Sequence, residues 1–314
     1  LDALRDAYKR SSGTGGFVFW GESTAPVIKN LNTQEGAEAY GLFRDELDGV
    51  DIIPFKRRDG EEASCLNLNR AQRPRLLGVN PESLASRQAF TFAQTWSDVP
   101  ENTSAWNLLS QIEPDGTVPG IADYNSIMWA MGKSVGDVLI FQNTQGETFR
   151  VRLVAGVANS ILQGNVIISE SAFHDHFPNE PGYKTFLLDV PKDKKETVAS
   201  ALTRALEDDG LTLFDAIERM QAFNAVQNTY LSTFQLLGGL GMVLGSFGLG
   251  VVVLRNLLDR RTELGLLAAV GFPRNRIRAL VLLEHLGLLC FGLITGTMSA
   301  WIAVIPSLQS PGAN

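Results

Sequence analysis

The chain has 314 residues, and its 34 aspartate and glutamate residues outnumber its 27 lysine and arginine residues, which gives a formal net charge of −7. The charge is uneven, because residues 1–227 carry −10 whereas residues 228–314 carry +3. So acidic an N-terminal part excludes nucleic acid and anionic lipid as its natural partners. The two cysteines, Cys65 and Cys290, lie in different parts of the chain and predict no intrachain disulfide.

Residues 1–210 are expected to form an α+β domain of one or two subdomains. Apolar runs bounded by turn residues predict strands, and apolar residues at helical spacing predict helices. The predicted strands cover 17–20, 50–56, 135–142, 149–157, 165–169 and 183–190. The predicted helices cover 33–47, 123–131, 170–177 and 193–209. Because the two kinds of element are mixed in order, the α+β class is favoured.

Two stretches of this domain allow two interpretations each. The segment 57–80 has five arginines, which indicate either a solvated loop paired with acidic groups nearby or a site for an anionic ligand or lipid head group. The first interpretation is favoured. The segment 83–111 is rich in aromatic residues, which are more typical of a core or a subdomain contact than of a ligand cage. These residues are Phe90, Phe92, Trp96 and Trp106.

The chain then becomes increasingly apolar. Residues 211–230 keep apolar side chains at helical spacing and predict a stalk helix that runs into the next segment. Residues 231–254 are 24 residues without a formal charge, about 36 Å of helix against a hydrocarbon core of about 30 Å. Residues 279–305 are as long and as apolar, apart from Glu284 and His285 near their start. Both apolar segments are therefore predicted to span a membrane.

The loop between these segments, residues 255–278, is basic. It has six arginines against Asp259 and Glu263, and such a bias marks a cytoplasmic loop under the positive-inside rule. The N-terminal domain and a tail over residues 306–314 are then expected on the outer side. A charge in the bilayer costs about 2.5–3.5 kcal/mol, so Glu284 and His285 indicate either snorkelling to the inner interface, which is favoured, or a functional polar contact.

Within the loop, residues 260–272 read RRTELGLLAAVGF. This run resembles the signature R-x-x-E-[IL]-x-x-L-x-A-x-G of the FtsX/MacB-type permease subunits of ABC transporters, in which it forms a short helix that lies on the partner ATPase. An ordinary basic loop explains the arginines but not an apolar helix face, which suits a groove on a partner, with the charges fixing the register. The resemblance implies that the ATPase is contacted by Arg260, Arg261, Glu263, Leu264, Leu267, Ala268, Val270 and Gly271.

A second resemblance lies in the N-terminal domain, where Val135-Gly136-Asp137 leads into a predicted hairpin. This pattern resembles the extracytoplasmic domain of MacB-type permeases. Together the two resemblances imply a MacB-like periplasmic core domain joined to an α-helical transmembrane hairpin, in a multi-pass protein of the inner membrane. The family has one span before the outer domain and three after it, so we expect a further span before Leu1 and another after Asn314.

The function implied by the resemblance is that of the permease subunit of an ABC transporter complex. A separate cytoplasmic ATPase would bind the ATP and move the outer domain, for export or release of a substrate such as a lipoprotein, peptide or macrolide. The chain itself would need no cofactor. A homodimer or a paired permease subunit, the lipid bilayer and a periplasmic partner are expected to contact it. The alternative is a membrane-tethered ligand sensor or scaffold without an ATPase.

Small residues recur at four-residue spacing in both apolar segments. Such residues let helix backbones approach closely, within the chain or across a dimer, although glycine is also tolerated where a helix faces lipid. The close-contact interpretation is favoured. The residues concerned are Gly241, Gly245, Gly292, Gly296 and Ala300.

An enzyme has little support in the sequence. Gly132-Lys133-Ser134 ends like a phosphate-binding loop, but the first glycine of that motif would fall on Ile127. His174-Asp175-His176 offers metal-ligand chemistry without a third ligand at motif spacing. There is also no G-x-S-x-G sequence. No catalytic or metal site is therefore expected.

Overall fold

A ten-stranded mixed sheet forms the centre of the N-terminal unit. The computed structural model describes residues 8–43, 45–60, 73–96 and 104–308, and the chain divides into two units, Leu1–Ala225 and Val226–Asn314. The strands are β1 (Phe19–Val27), β2 (Asp51–Arg58), β3 (Arg75–Val79), β4 (Phe92–Thr95), β5 (Val118–Asp123), β6 (Val138–Gln142), β7 (Thr148–Val157), β8 (Asn165–Ser169), β9 (Tyr183–Asp189) and β10 (Thr212–Asp215).

The strand order is β10-β1-β9-β2-β3-β8-β5-β7-β4, and β6 pairs with β7 beside β4. The pairs β3–β8 and β5–β7 are parallel, whereas β1 pairs antiparallel with both β9 and β10. Strand β8 is buried along its whole length, as expected for a strand in the middle of a sheet that is covered on both faces. The mixed sheet with its short helices confirms the predicted α+β class.

The helices described in the N-terminal unit are short. Thr33, Asn80 and Ser169 precede the first three of them, and each side chain accepts a hydrogen bond from a backbone N–H of the first turn. The helices are α1 (Gln34–Ala39), α2 (Pro81–Ala85), α3 (Glu170–His176) and α4 (Lys195–Ala205).

The core of the N-terminal unit contains large side chains that are fully buried, among them Trp20, Trp106 and Phe173. The Trp106 indole Nε1 donates a hydrogen bond to the carbonyl of Ala89 at 2.8 Å, so its polar atom is satisfied. Phe173 packs directly on Gly78 of β3, where a Cβ would lie 2.6 Å from the Phe173 Cβ. Only glycine lets α3 approach the sheet this closely.

Most of the predicted elements of the N-terminal unit are confirmed. Strands β2, β7, β8 and β9 and helix α3 lie within two residues of their predicted bounds. The predicted strand at 17–20 extends to Val27, with an irregularity in its pairing between Glu22 and Val27 that accommodates Pro26. The predicted helix at 193–209 is present as a 3₁₀ turn followed by α4.

Two helix predictions were wrong in part, and a third is confirmed. The helix predicted over 33–47 ends at Ala39, because Gly41 takes a left-handed conformation with φ +71°. At 123–131, residues 124–130 are helical and end in the π turn Ser126–Ala130. The Asp123 carboxylate accepts hydrogen bonds from the N–H groups of Asn125 and Ser126, so this capped helix is confirmed to within one residue. The helical stripe predicted over 211–230 begins as strand β10, because residues 212–215 pair with β1.

The aromatic residues of 83–111 are divided between core and surface. Phe90 and Trp106 are 5% and 0% exposed, which confirms the core prediction for them. Trp96 is 51% exposed, so the prediction was wrong for this residue. Its indole lies over the guanidinium of Arg152 at 4.7 Å, and Arg152 is itself held by Glu113 at 2.6 Å.

The C-terminal unit consists of helices. Helix α5 (Ala216–Asp259) enters it from the N-terminal unit and is followed by α6 (Arg261–Ala269) and α7 (Arg274–Leu308). Residues 232–259 and 274–302 are long and apolar enough to cross a membrane. Their large apolar side chains are exposed, for example Leu244 and Phe291 at 66% and 69%. Such surfaces favour a lipid or protein environment over water.

Candidate functional site

The short helix α6 connects the two long helices and contains most of the predicted contact residues. Arg260 separates it from α5, with φ −93° and ψ 6°. Helical hydrogen bonds nevertheless continue through this residue, because the Arg260 N–H donates to the Asn256 carbonyl and the Leu264 N–H donates to the Arg260 carbonyl. Arg260 therefore separates the two helices while its own N–H and carbonyl groups stay paired.

The end of α6 is a Schellman turn. Gly271 has φ +95°, a conformation that residues with a Cβ rarely adopt. Its N–H donates to the Ala268 carbonyl at 3.2 Å, and the Phe272 N–H donates to the Leu267 carbonyl at 3.1 Å. Pro273 follows and precedes the first turn of α7. The glycine that ends the sequence signature therefore closes the turn between α6 and α7.

The two faces of α6 differ in exposure. Leu264 and Leu267 are half-buried. Helices α6 and α7 contact each other, and three half-buried residues in the first half of α7 form a stripe at four-residue spacing. This stripe consists of Ile277, Val281 and His285. The contact of Leu264 and Leu267 with an ATPase stays a prediction.

The outward face of α6 is apolar as well. Leu266 and Val270 are four residues apart and are 66% and 75% exposed, and Phe272 in the turn is 50% exposed. Arg261, Glu263, Ala268 and Gly271 of the predicted set are also exposed. Leu266 was not in the predicted set. The four-residue spacing between Leu266 and Val270 could have indicated that Leu266 lies on the same face as Val270, because residues four apart share a helix face.

One arginine of the loop links the helices electrostatically. Arg260 Nη1 donates to both carboxylate oxygens of Glu284 in α7, at 3.0 and 2.8 Å. Its Nε lies 3.4 Å from Glu263. The hydrogen bond to Glu263 and the charge of Glu284 raise the pKa of Arg260. Glu284 therefore has a partner within the chain, and His285 Nδ1 lies 2.8 Å from the Val281 carbonyl.

The glycines of the apolar helices have no close neighbour in the described part of the chain. A Cβ added at Gly241, Gly245, Gly292 or Gly296 would meet nothing within 4 Å, and Ala300 is exposed. Among the described residues, these positions therefore have no close packing partner. Contact across a dimer, or with other helices, stays a prediction.

A second group of polar contacts lies where α5 begins, in the N-terminal unit. The carboxylate of Asp215 accepts hydrogen bonds from the N–H groups of Ile217 and Glu218, at 2.8 and 3.1 Å. Lys195 of α4 pairs with the same carboxylate. Burial raises the pKa of Asp215, but the hydrogen bonds from Lys195 and from the backbone together lower the pKa by more than burial raises it. The pKa of Asp215 therefore lies below its usual value.

Three arginines converge on Glu22 beside this point. Arg57 and Arg75 lie 3.6 and 3.1 Å from its carboxylate, and Arg219 of α5 lies 4.0 Å away. The Arg219 guanidinium lies 4.5 Å from the ring of Trp20, and burial lowers its pKa. Three described arginines of segment 57–80 pair with carboxylates, which favours the interpretation of this segment as a loop paired with acidic groups. They are Arg57, Arg58 and Arg75. Residues 61–72 of that segment lie outside the described residues.

A metal site has no support in the described residues, where no group of three or more His, Cys, Asp or Glu side chains could hold an ion. His176, from the His174-Asp175-His176 sequence, stacks on Phe149 with ring centroids 3.8 Å apart. Burial lowers the pKa of His176, and the charge of Asp175 opposes this shift. The described contacts of this histidine are therefore those of a packed side chain.

Comparison with known proteins identifies the C-terminal part of the chain. Residues 235–312 match the family model of the FtsX-like permease C-terminal region, which confirms the resemblance seen in the loop. No curated protein matches the chain in sequence. The solved structures that are similar to the chain include the following two. The periplasmic region of MacB from Actinobacillus actinomycetemcomitans is 11% identical with a TM-score of 0.35, and the similarity covers 71% of this chain and 98% of that one.

The second is the extracellular domain of the noncanonical ABC-type transporter YknZ from Gram-positive bacteria. It is 9% identical with a TM-score of 0.29, and the similarity covers 62% of this chain and 100% of that one.

Proposed function

We propose that this chain is the permease subunit of an ABC transporter complex and that α6 is its docking helix for a cytoplasmic ATPase. The match of residues 235–312 to the FtsX-like permease C-terminal region supports the permease assignment. The observation that carries the docking role is the outward face of α6, with Leu266 and Val270 exposed and four residues apart. Two anchors at this spacing are what an amphipathic helix needs to enter an apolar groove.

In this proposal the loop lies in the cytoplasm, the N-terminal unit lies outside, and the two apolar helices cross the inner membrane. The ATPase binds ATP, and the chain itself takes no cofactor. Closure of the ATPase moves α6, and the movement reaches the outer unit, which releases or exports a substrate. A lipoprotein, a peptide and a macrolide remain the candidate substrates. A homodimer or a paired permease subunit and a periplasmic partner complete the proposed assembly.

The proposal is tested by co-purification of the full chain with candidate ABC ATPases of the source organism. We expect the wild type to retain one of them. The variants Leu266→Asp and Val270→Asp should lose it, because each puts a charge into a desolvated contact, where losses of about 2 kcal/mol or more are typical of central residues. The additional variant Glu263→Lys tests the contribution of charge.

A matched control is Ile140→Asp on β6, which changes an apolar side chain that is 57% exposed in the N-terminal unit. It should retain the ATPase, because the proposed topology places it on the other side of the membrane. If the wild type retains no ATPase under any condition, the docking role is wrong and a membrane-tethered sensor or scaffold takes its place. If the α6 variants retain it like the wild type, the contact lies elsewhere.

A further inference from the structure

The ion pair between Arg260 and Glu284 joins two helices across 24 residues of sequence. Both carboxylate oxygens accept from the same guanidinium nitrogen, at 3.0 and 2.8 Å. Arg255, by contrast, pairs at 3.8 Å with Asp259 of its own helix. Among the described ion pairs, no other arginine of the loop reaches a carboxylate on another helix. Arg260 is therefore distinguished from the other arginines by its partner as well as by its position.

Both charges lie at the boundary of an apolar stretch. Arg260 follows the candidate span 232–259 directly. Glu284 is ten residues into α7 and is the last formal charge of that helix, because residues 285–308 contain no Asp, Glu, Lys or Arg. At such a boundary the dielectric constant is lower than in water, so the attraction is stronger than at an exposed surface. Removal of one partner leaves the other charge where its solvation is poor.

Helix α6 is tied to α7 at both of its ends. At its C-terminal end, the hydrogen bonds of Gly271 and Phe272 close the turn into α7. At its N-terminal end, Arg260 reaches Glu284. Between these points Leu264 and Leu267 are half-buried, and helices α6 and α7 contact each other. Helix α6 and the first eleven residues of α7, which end at Glu284, are therefore held together at both ends of α6. Helix α5 precedes them in the chain and is separated from α6 by Arg260.

We propose that Arg260 and Glu284 are a positioning pair that makes α6 and the start of the second span move as one body. This inference rests on the proposed function, in which α6 receives the movement of the ATPase. A force on α6 then reaches α7 directly through the ion pair and the turn. Without the pair, α6 can swing about the Gly271 turn and the movement is lost before it reaches the span.

The first test needs no ATPase. Spin labels are placed at Thr262→Cys on α6 and Leu282→Cys on α7, two exposed positions, in a full chain whose native Cys65 and Cys290 are replaced by serine. The distance distribution between the labels is measured by pulsed electron paramagnetic resonance in lipid nanodiscs. We expect a narrow distribution for the parent chain, a broader one for Arg260→Gln and for Glu284→Gln, and a narrow one for the charge exchange Arg260→Glu with Glu284→Arg.

The matched control is Arg276→Gln, which removes a loop arginine without an ion pair to a described carboxylate and should leave the distribution narrow. Distributions in Arg260→Gln and Glu284→Gln as narrow as in the parent chain would overturn the proposal. The proposal would also be overturned if the distance distribution of the charge-exchange variant were as broad as those of the single variants. In that case the pair would not act through its opposite charges.

The second test uses the complex with the ATPase. Glu284→Gln leaves the outward face of α6 unchanged, so the ATPase should still co-purify. The effect of the permease on ATP hydrolysis in nanodiscs should fall by about fivefold or more, the lower end of usual coupling free energies. Unchanged stimulation by this variant would overturn the coupling role. If no ATPase binds the wild type, the proposed function fails, but the spin-label result still decides whether the pair holds α6 to α7.

Discussion

Gly271 is the residue on which the turn between α6 and α7 depends. A Cβ at this position would meet nothing within 4 Å, so a substitution is opposed by backbone conformation alone, at about 1–2 kcal/mol. We expect Gly271→Ala to open the turn more often. Hydrogen exchange of the α6 amides in the full chain, measured by mass spectrometry, should rise by about 5–30-fold.

Gly265 offers a control within the same helix. A Cβ there would also meet nothing within 4 Å, but Gly265 lies inside α6, where alanine is favoured over glycine by up to about 1 kcal/mol. Gly265→Ala should therefore slow the same exchange. Equal exchange rates in the two variants would show that the left-handed conformation at Gly271 does not hold the turn.

The exposed residues of α6 could be predicted only in part from the sequence. The signature and the spacing predicted an apolar helix, and this helix is present. The sequence could not show how exposed each apolar residue of α6 is, so the more exposed Leu266 was missed while the half-buried Leu264 and Leu267 were included. The pairing of Arg260 with Glu284 also could not be predicted from the sequence, because it depends on how α6 and α7 lie next to each other.

At the scale of the elements, the beginning of α5 depends on Asp215. Its carboxylate caps the first turn of the helix and pairs with Lys195. Loss of such a cap costs about 0.5–2 kcal/mol. Asp215→Ala should therefore lower the free energy of unfolding of the full chain in detergent by about this amount at pH 7, as measured by urea denaturation. Asp215→Asn is the control, because it keeps a cap but removes the charge.

The pH dependence of this effect follows from the pKa shifts. The pKa of Asp215 is lowered by folding, so its contribution is present above the unfolded value of about 3.9 and is lost as the pH falls through the folded value. The pKa of Lys195 is raised by its bond to Asp215, so its contribution is lost only at alkaline pH. The difference between wild type and Asp215→Asn should shrink at pH 3. A difference of the same size at pH 3 and pH 7 would rule out this ion pair as its source.

The elements that could be predicted from the sequence share a physical property. Strands such as β8 and helix α3 have their own periodicity, caps and turns, so local residues decide them. The predictions that were wrong concern segments whose structure is decided by residues far away in the sequence. Leu213 and Phe214 belong to an apolar pattern at helical spacing. Residues 212–215 nevertheless form β10, because β1 offers unpaired backbone groups at that edge. Exposed Trp96 is likewise fixed by Arg152, which is far away in sequence.

At the scale of the whole molecule, charge predicts the orientation in the membrane. The loop between the apolar helices has six arginines, whereas the first 227 residues carry −10. The positive-inside rule places the loop in the cytoplasm and the acidic unit outside. This orientation is required by the proposed contact between α6 and an ATPase, so its failure would remove the basis of that contact.

Cysteine labelling checks this orientation. The native Cys65 and Cys290 are replaced by serine. Either Ile140→Cys in the N-terminal unit or Asn275→Cys in the loop is then introduced, both at exposed positions. Neither change alters a charge, so the positive-inside bias is preserved. In spheroplasts, a membrane-impermeant maleimide should label the Ile140→Cys variant at once and the Asn275→Cys variant only after the membrane is permeabilised. The reverse pattern would place α6 outside the cell, where no ATP is available to a docked ATPase, and the transporter proposal would fail.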